Sequence, residues 1–252
     1  MRKKRNTFLM VIVVLLFLVG FGLTVYPYIR GAVVDRVIEF EAEDFLTRID
    51  EETGETTEPV IFFVKPAETP ATEPREYAEL WEEMRAYNET IYSEGQAGLS
   101  GANAYERASF ILADYGLEDE IFGVISIPAL DLEMPVYLGA TKQNMAAGAA
   151  HMSQTSLPIG GENTNTVIAG HRGWNGAAYF LHINQLEIGD IVTITNLWET
   201  LTYEVVETKI ITPYNVEAIH IQEGRELLTL LTCHPPATGG RERYLVFCER
   251  VR

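Results

Sequence analysis

From Phe8 to Tyr28 the chain carries no charged residue, and such a run leaves few ways to fold. About 20 apolar residues cross a hydrocarbon core as a helix, which satisfies its own backbone polar groups without water. Four basic residues, Arg2, Lys3, Lys4 and Arg5, precede the run. Basic flanks stay in the cytoplasm, which places the rest of the chain outside the cell. A cleaved signal peptide has a shorter apolar stretch, roughly 7–15 residues, ending in small side chains. Here the run is longer and ends in Tyr26-Pro27-Tyr28. Residues 1–29 are therefore read as a cytoplasmic stub and a retained single-pass anchor in the cell membrane.

The remaining chain is long enough for one core of ordinary size. The formal net charge of −17 over the full sequence argues against a nucleic-acid partner, since contacts to phosphates need a basic stripe. After a short mixed segment to about Phe45, Asp50 to Glu73 is dominated by Glu, Thr and Pro. Such composition buries too little apolar surface to order itself, so residues 30–75 are read as a linker. Within it, Val60-Ile61-Phe62-Phe63-Val64 has the makings of a small strand. Residues 76–120 are expected to form an N-terminal helical layer. Tyr77, Leu80, Trp81, Met84, Tyr87 and Ile91 have amphipathic-helix spacing, and a weaker helical pattern covers about Asn103 to Tyr115.

From Ile121 onward the texture is that of strands. They are expected at Ile121–Ile127, Leu132–Leu138, Thr164–Gly170, Ile191–Leu197, Leu201–Ile211, Glu226–Thr232 and Arg243–Glu249. Pro135 suggests an edge or a bulge in the second. Short helices are expected near Lys142–Ala150 and Ala177–Leu186. Residues 121–252 thus read as a mainly β domain: a closed or nearly closed, antiparallel-type barrel of seven to eight strands.

Three residues in this barrel can do chemistry together. Cys233 ends an apolar strand and is followed by His234-Pro235-Pro236, which puts its thiol at a rim. A thiol there becomes reactive beside a cation. His171 lies between Gly170 and Arg172-Gly173 at another strand end; His151 is the second choice. Arg243 starts the strand that returns after Cys233 and can set positive charge beside a thiolate or an oxyanion. Arg241, two residues earlier, would share its face, but Arg243 leads directly into Tyr244-Leu245-Val246 and is preferred. A Cys–His–cation set is a nucleophilic arrangement.

With these residues in place, Thr229-Leu230-Leu231-Thr232-Cys233 resembles the TLxTC signature of sortases. His171 upstream and Arg243 downstream fit the same family. Thr155 to Asn163 and Ala169 to Gly173 look most like the class C, pilin-polymerising group. The resemblance covers roughly Phe122 to Val251. It implies a sortase β-barrel that reads LPxTG-like sorting signals of secreted proteins. Cys233 would form a thioester with the threonine carbonyl. His171 would protonate the leaving amine, and Arg243 would stabilise the oxyanion or orient substrate. Thr232, Arg241 and His234 are expected to line the substrate site. The second substrate is an amine, a pilin lysine or a cell-wall peptide. No cofactor or metal is implied, and no acidic loop here demands calcium.

Two family features are missing. A class C lid carries an Asp-Pro-aromatic motif, and this sequence has no Asp-Pro; Asp44-Phe45 and Asp114-Tyr115 come nearest. A lid is thus absent or built differently. Many members have a second membrane helix at the C-terminus, and none is expected past Arg252. Two cysteines in an exported chain suggest a disulfide. In a hairpin that sets Arg243 opposite Cys233, however, Cys248 lies roughly 16 Å further on. A disulfide needs Cα atoms within about 7 Å, so no bridge is expected. A catalytically silent barrel that only holds peptides is the alternative from a different class, distinguished by an unreactive Cys233.

Overall fold

The computed structural model describes residues 2–53, 77–101, 104–117 and 120–251. Helix α1 spans Arg2–Thr53 and contains Pro27. It is long and apolar enough to cross a membrane. The linker expected from residue 30 is corrected here, because the helix continues to Thr53. Val34, Ile38, Ala42, Phe45 and Ile49 recur at helical spacing and pack against the domain. Glu39 and Asp44 lie on the exposed face, where Arg36 pairs with Glu39 and Arg48 with Asp44, while Glu41 accepts from the Tyr137 hydroxyl of the barrel. Burying a side chain the size of Ile38 or Phe45 contributes roughly 1.5–3 kcal/mol, enough to order a charged helix. The strand suggested at Val60–Val64 lies outside the described residues.

Helix α2 spans Ala78–Ser93 and buries Leu80, Met84 and Ile91, as the periodicity predicts. The weaker helix near Asn103–Tyr115 is not formed. Its described part consists of turns and one 3₁₀ turn, Leu112–Tyr115, closed by Gly116 in the left-handed region.

Ten strands follow: β1 Ile121–Ile127, β2 Leu132–Leu138, β3 Ala149–His151, β4 Thr164–Ala169, β5 Arg172–Trp174, β6 Ala177–Tyr179, β7 Ile191–Asn196, β8 Thr200–Ile211, β9 Glu226–His234 and β10 Glu242–Arg250. Eight of them close a barrel in the order β1-β2-β3-β4-β9-β10-β8-β7, and β5 and β6 form a separate hairpin. The barrel is mixed, since β2–β3 and β4–β9 pair in parallel. Pro135 falls just outside the β2–β3 ladder, which begins at Val136, so its missing N–H breaks no pairing there. The first short helix is observed as α3, Lys142–Ala147, capped by the Thr141 hydroxyl.

The second, at Ala177–Leu186, is corrected: β6 and a 3₁₀ turn at Ile183–Gln185 take its place. Trp174 pairs with Ala177 across a two-residue loop, Asn175-Gly176, with both residues at positive φ. An Asn-Gly pair is the strongest short-range hairpin signal, and it overrides the helical pattern behind it.

Side chains alternate across the barrel wall. Ile125, Val136, Ile168, Leu228, Leu230, Val246 and Cys248 belong to the interior core. The outer face of β1 and β2 is covered by α1 and α2 through Phe122, Val124, Phe45 and Leu80. A third cluster lies outside β4, β9, β10 and β8. Val167, Leu245 and Phe247 meet Leu99 and Ile219 there, with Leu231 beside them.

Candidate active site

The β9–β10 ladder pairs Cys233 with Arg243 and Thr232 with Tyr244. Cross-strand partners project from the same face, so Cys233 and Arg243 share the outer face of Leu231 and Leu245. Both are half-buried. A Cβ placed on Gly240, in the turn between the strands, would lie 2.9 Å from Arg243 Nη1 and 3.1 Å from Cys233 Sγ. The thiol and the guanidinium are therefore no more than about 6 Å apart, and only a glycine leaves that gap open. Arg243 Nη1 donates to the carbonyls of Gly240 (2.7 Å) and Glu242 (3.0 Å), which fix the fork over the turn. Arg241 precedes β10 and is exposed.

Strand β4 runs parallel to β9, with Ala169 beside Leu231. Two residues further along stand His171 and Cys233. The Gly170 N–H donates to the Leu231 carbonyl (3.0 Å), and Thr232 Oγ1 donates to the Gly170 carbonyl (2.7 Å). These bonds lock the approach to His171 onto the approach to Cys233. Thr232 is therefore corrected as a substrate contact: it is 1% exposed and its hydroxyl is spent inside the protein. The His171 ring stacks on Trp174 with centroids 5.1 Å apart and meets Tyr179 edge-on at 5.6 Å. Burial holds its pKa below the usual 6.5.

His151, the alternative histidine, belongs to the core. It is fully buried, and its Nε2–H donates to the Ser156 carbonyl at 3.0 Å. Nδ1 has no partner, so a second proton would sit there unpaired, and burial lowers the pKa from 6.5 to about 4. With the folded pKa below the unfolded one, the unfolded chain binds more protons between those values. The contribution of neutral His151 to stability is complete above about pH 6.5. It is lost as the pH falls and is gone below about 4. Denaturant unfolding at pH 7 and pH 4.5 should show wild type losing about 2–3 kcal/mol more than His151→Gln, which has no proton to gain.

Arg172 is a site residue that the sequence pattern does not single out. It is 8% exposed, and among the described residues no carboxylate pairs with it. It donates to His234 Nδ1 at 3.3 Å and to Asn184 Oδ1, and its guanidinium lies 5.4 Å from the Tyr244 ring centre. Burial pushes its pKa down; Tyr244 and Cys233, when ionised, pull it back up. His234, expected at the substrate site, is instead tied to this cation, half-buried, with its Nδ1 accepting. The signal in the sequence was Arg172 itself, a charge inside the Gly170–Gly173 turn.

The two pairs nearest a lid motif lie away from this site. Phe45 is buried between α1 and the outer face of the barrel, and Tyr115 donates to Glu83. The two cysteines are free, and burial pushes the Cys248 thiol up, where it stays inert.

Comparison with known proteins bears on the barrel that carries this site. A model of the sortase domain matches residues 125–251. Sortase D of Bacillus subtilis is 30% identical over 131 residues, covering 51% of this chain and 63% of that protein. The chain thus spans under two thirds of that curated relative. Among solved structures, sortase C2 of Group B Streptococcus Pilus Island 1 is 30% identical with a TM-score of 0.59, over 68% of this chain and 97% of that one. Sortase C-1 of Streptococcus pneumoniae is 30% identical with a TM-score of 0.61, over 72% and 93%. With the eight-stranded barrel, the Cys233–Arg243 pair and the half-chain family match together, the chain belongs to the sortase family.

Proposed function

We propose that this chain is a membrane-anchored cysteine transpeptidase with its catalytic domain outside the cell, acting on extended peptides of the LPxTG type. The observation that carries the reading is the cross-strand pair of Cys233 and Arg243, with His171 held level beside them. In this reading Cys233 Sγ attacks the threonine carbonyl. The peptide bond breaks as His171 gives a proton to the leaving amine, and a thioester remains. An incoming amine then attacks the thioester, loses its proton to His171 and frees the thiolate. Arg243 faces the oxyanion that forms in each half-reaction. Leu231, partly exposed on the outer face two residues before Cys233, offers apolar surface for the peptide. The Pro213 to Gly224 segment, which supplies Ile219 and Val216, is placed to set specificity.

The solved relatives named for a pilus island favour a pilin lysine as the amine. The absence of Asp-Pro keeps a second reading, attachment to cell-wall peptide. Incubating the chain with an LPxTG-type peptide and either a lysine-bearing pilin peptide or a cell-wall amine tests both. An amide product with the lysine peptide is expected. Product with the cell-wall amine alone would select the second reading.

A further inference from the structure

We infer that the β5–β6 hairpin, which stacks on His171, rests on the outer surface of the lipid bilayer, with Trp174 in the headgroup region. The inference rests on the reading of α1 as an anchor. From Asn6 to Ile29 the helix carries no charge and covers about 36 Å. The hydrocarbon core is about 30 Å thick, so its outer edge falls within a turn of Ile29. Tyr26 and Tyr28 are 63% and 79% exposed and lie where an aromatic belt forms. Arg30 is the first charge beyond.

The hairpin touches the helix at that level. A Cβ on Gly176 would lie 2.3 Å from the Pro27 carbonyl oxygen, and one on Gly31 would lie 2.3 Å from the Gly176 oxygen. Two glycines thus let the hairpin tip meet the helix backbone to backbone. One turn further on, Asp35 Oδ1 accepts from the Ala178 N–H at 3.2 Å. Contact at Pro27 and Gly31 fixes the depth of the hairpin whatever the tilt of the helix. From there α1 runs on past β2 to Ile38, Ala42 and Phe45, so the rest of the domain stands further from the membrane. Trp174, beside the tip, is 43% exposed, an amphipathic ring of the kind that settles at such an interface. Its other face stacks on His171. The catalytic histidine therefore works against a side chain seated at the membrane surface.

The test uses the full chain in phosphatidylcholine–phosphatidylglycerol vesicles with acyl chains brominated near the headgroup or near their ends. Flotation with the vesicles establishes anchoring on its own. Wild type should then show tryptophan emission quenched most by the shallow bromines, and Trp174→Phe, which keeps a ring against His171, should lose that component. Trp81, on α2, packs against Trp198 in the cluster that holds Phe45, about 20 Å further along α1 than Gly31 and beyond the bromines. Equal quenching in the two proteins, or none in protein that floats, would overturn the placement. Protein that does not float would overturn the anchor and the placement with it.

Discussion

Replacing Cys233 with alanine should lower transpeptidation of an LPxTG-type peptide by more than about a thousandfold, to the rate without enzyme. The other cysteine is not placed to replace the thiol. Cys248 is fully buried, paired in the ladder with Leu228, and faces the barrel interior. The fold should survive, because Cys233 is half-exposed at a strand end and the β9–β10 ladder is made by backbone. Cys248→Ala should do the reverse, costing about 1–2 kcal/mol of stability through the cavity it leaves while activity holds. Peptide turnover and denaturant unfolding of both variants check the contrast. Activity lost equally in both would mean that folding, not the thiol, was being measured.

Arg243→Met should reduce kcat/KM by about a hundred- to a thousandfold, the usual loss of one oxyanion-stabilising group. Arg243 is the ladder partner of Cys233, and its Nη1 is anchored by two carbonyls, so its charge is positioned before substrate arrives. Methionine keeps most of the stem and removes only the charge and the donors. Arg241→Met should stay within about threefold, since that side chain is exposed and outside the strand. Steady-state turnover of the two variants decides between them. A large loss confined to Arg241→Met would reverse the assignment.

What the sequence disclosed follows a physical pattern. β1 and β2 were legible to the residue, because Ile121–Ile127 and Leu132–Leu138 are apolar runs bounded by turn residues. The Cys233–Arg243 register was legible because a hairpin fixes it locally. Three features were not. The helical continuation of α1 past residue 30 looks acidic in composition and is held by the barrel, not by propensity. The contact of α1 with the hairpin joins residues 143 or more apart and has no local sign. Arg172 is defined by what surrounds it, His234, Asn184 and Tyr244, brought in from three other parts of the chain. Thr232 illustrates the converse. The motif marks it as important, and its hydroxyl proves to act on the Gly170 carbonyl, holding His171 in step with Cys233.

The central claim is that Cys233 carries the acyl group between two amines. Intact-protein mass measurement after mixing wild type with an LPxTG-type peptide, with no added amine, tests it most directly. The account predicts a mass gain equal to the peptide up to its threonine, located on Cys233 by fragmentation and discharged when an amine is added. Cleavage of the peptide with no adduct on Cys233, or an adduct that an amine does not release, would contradict it.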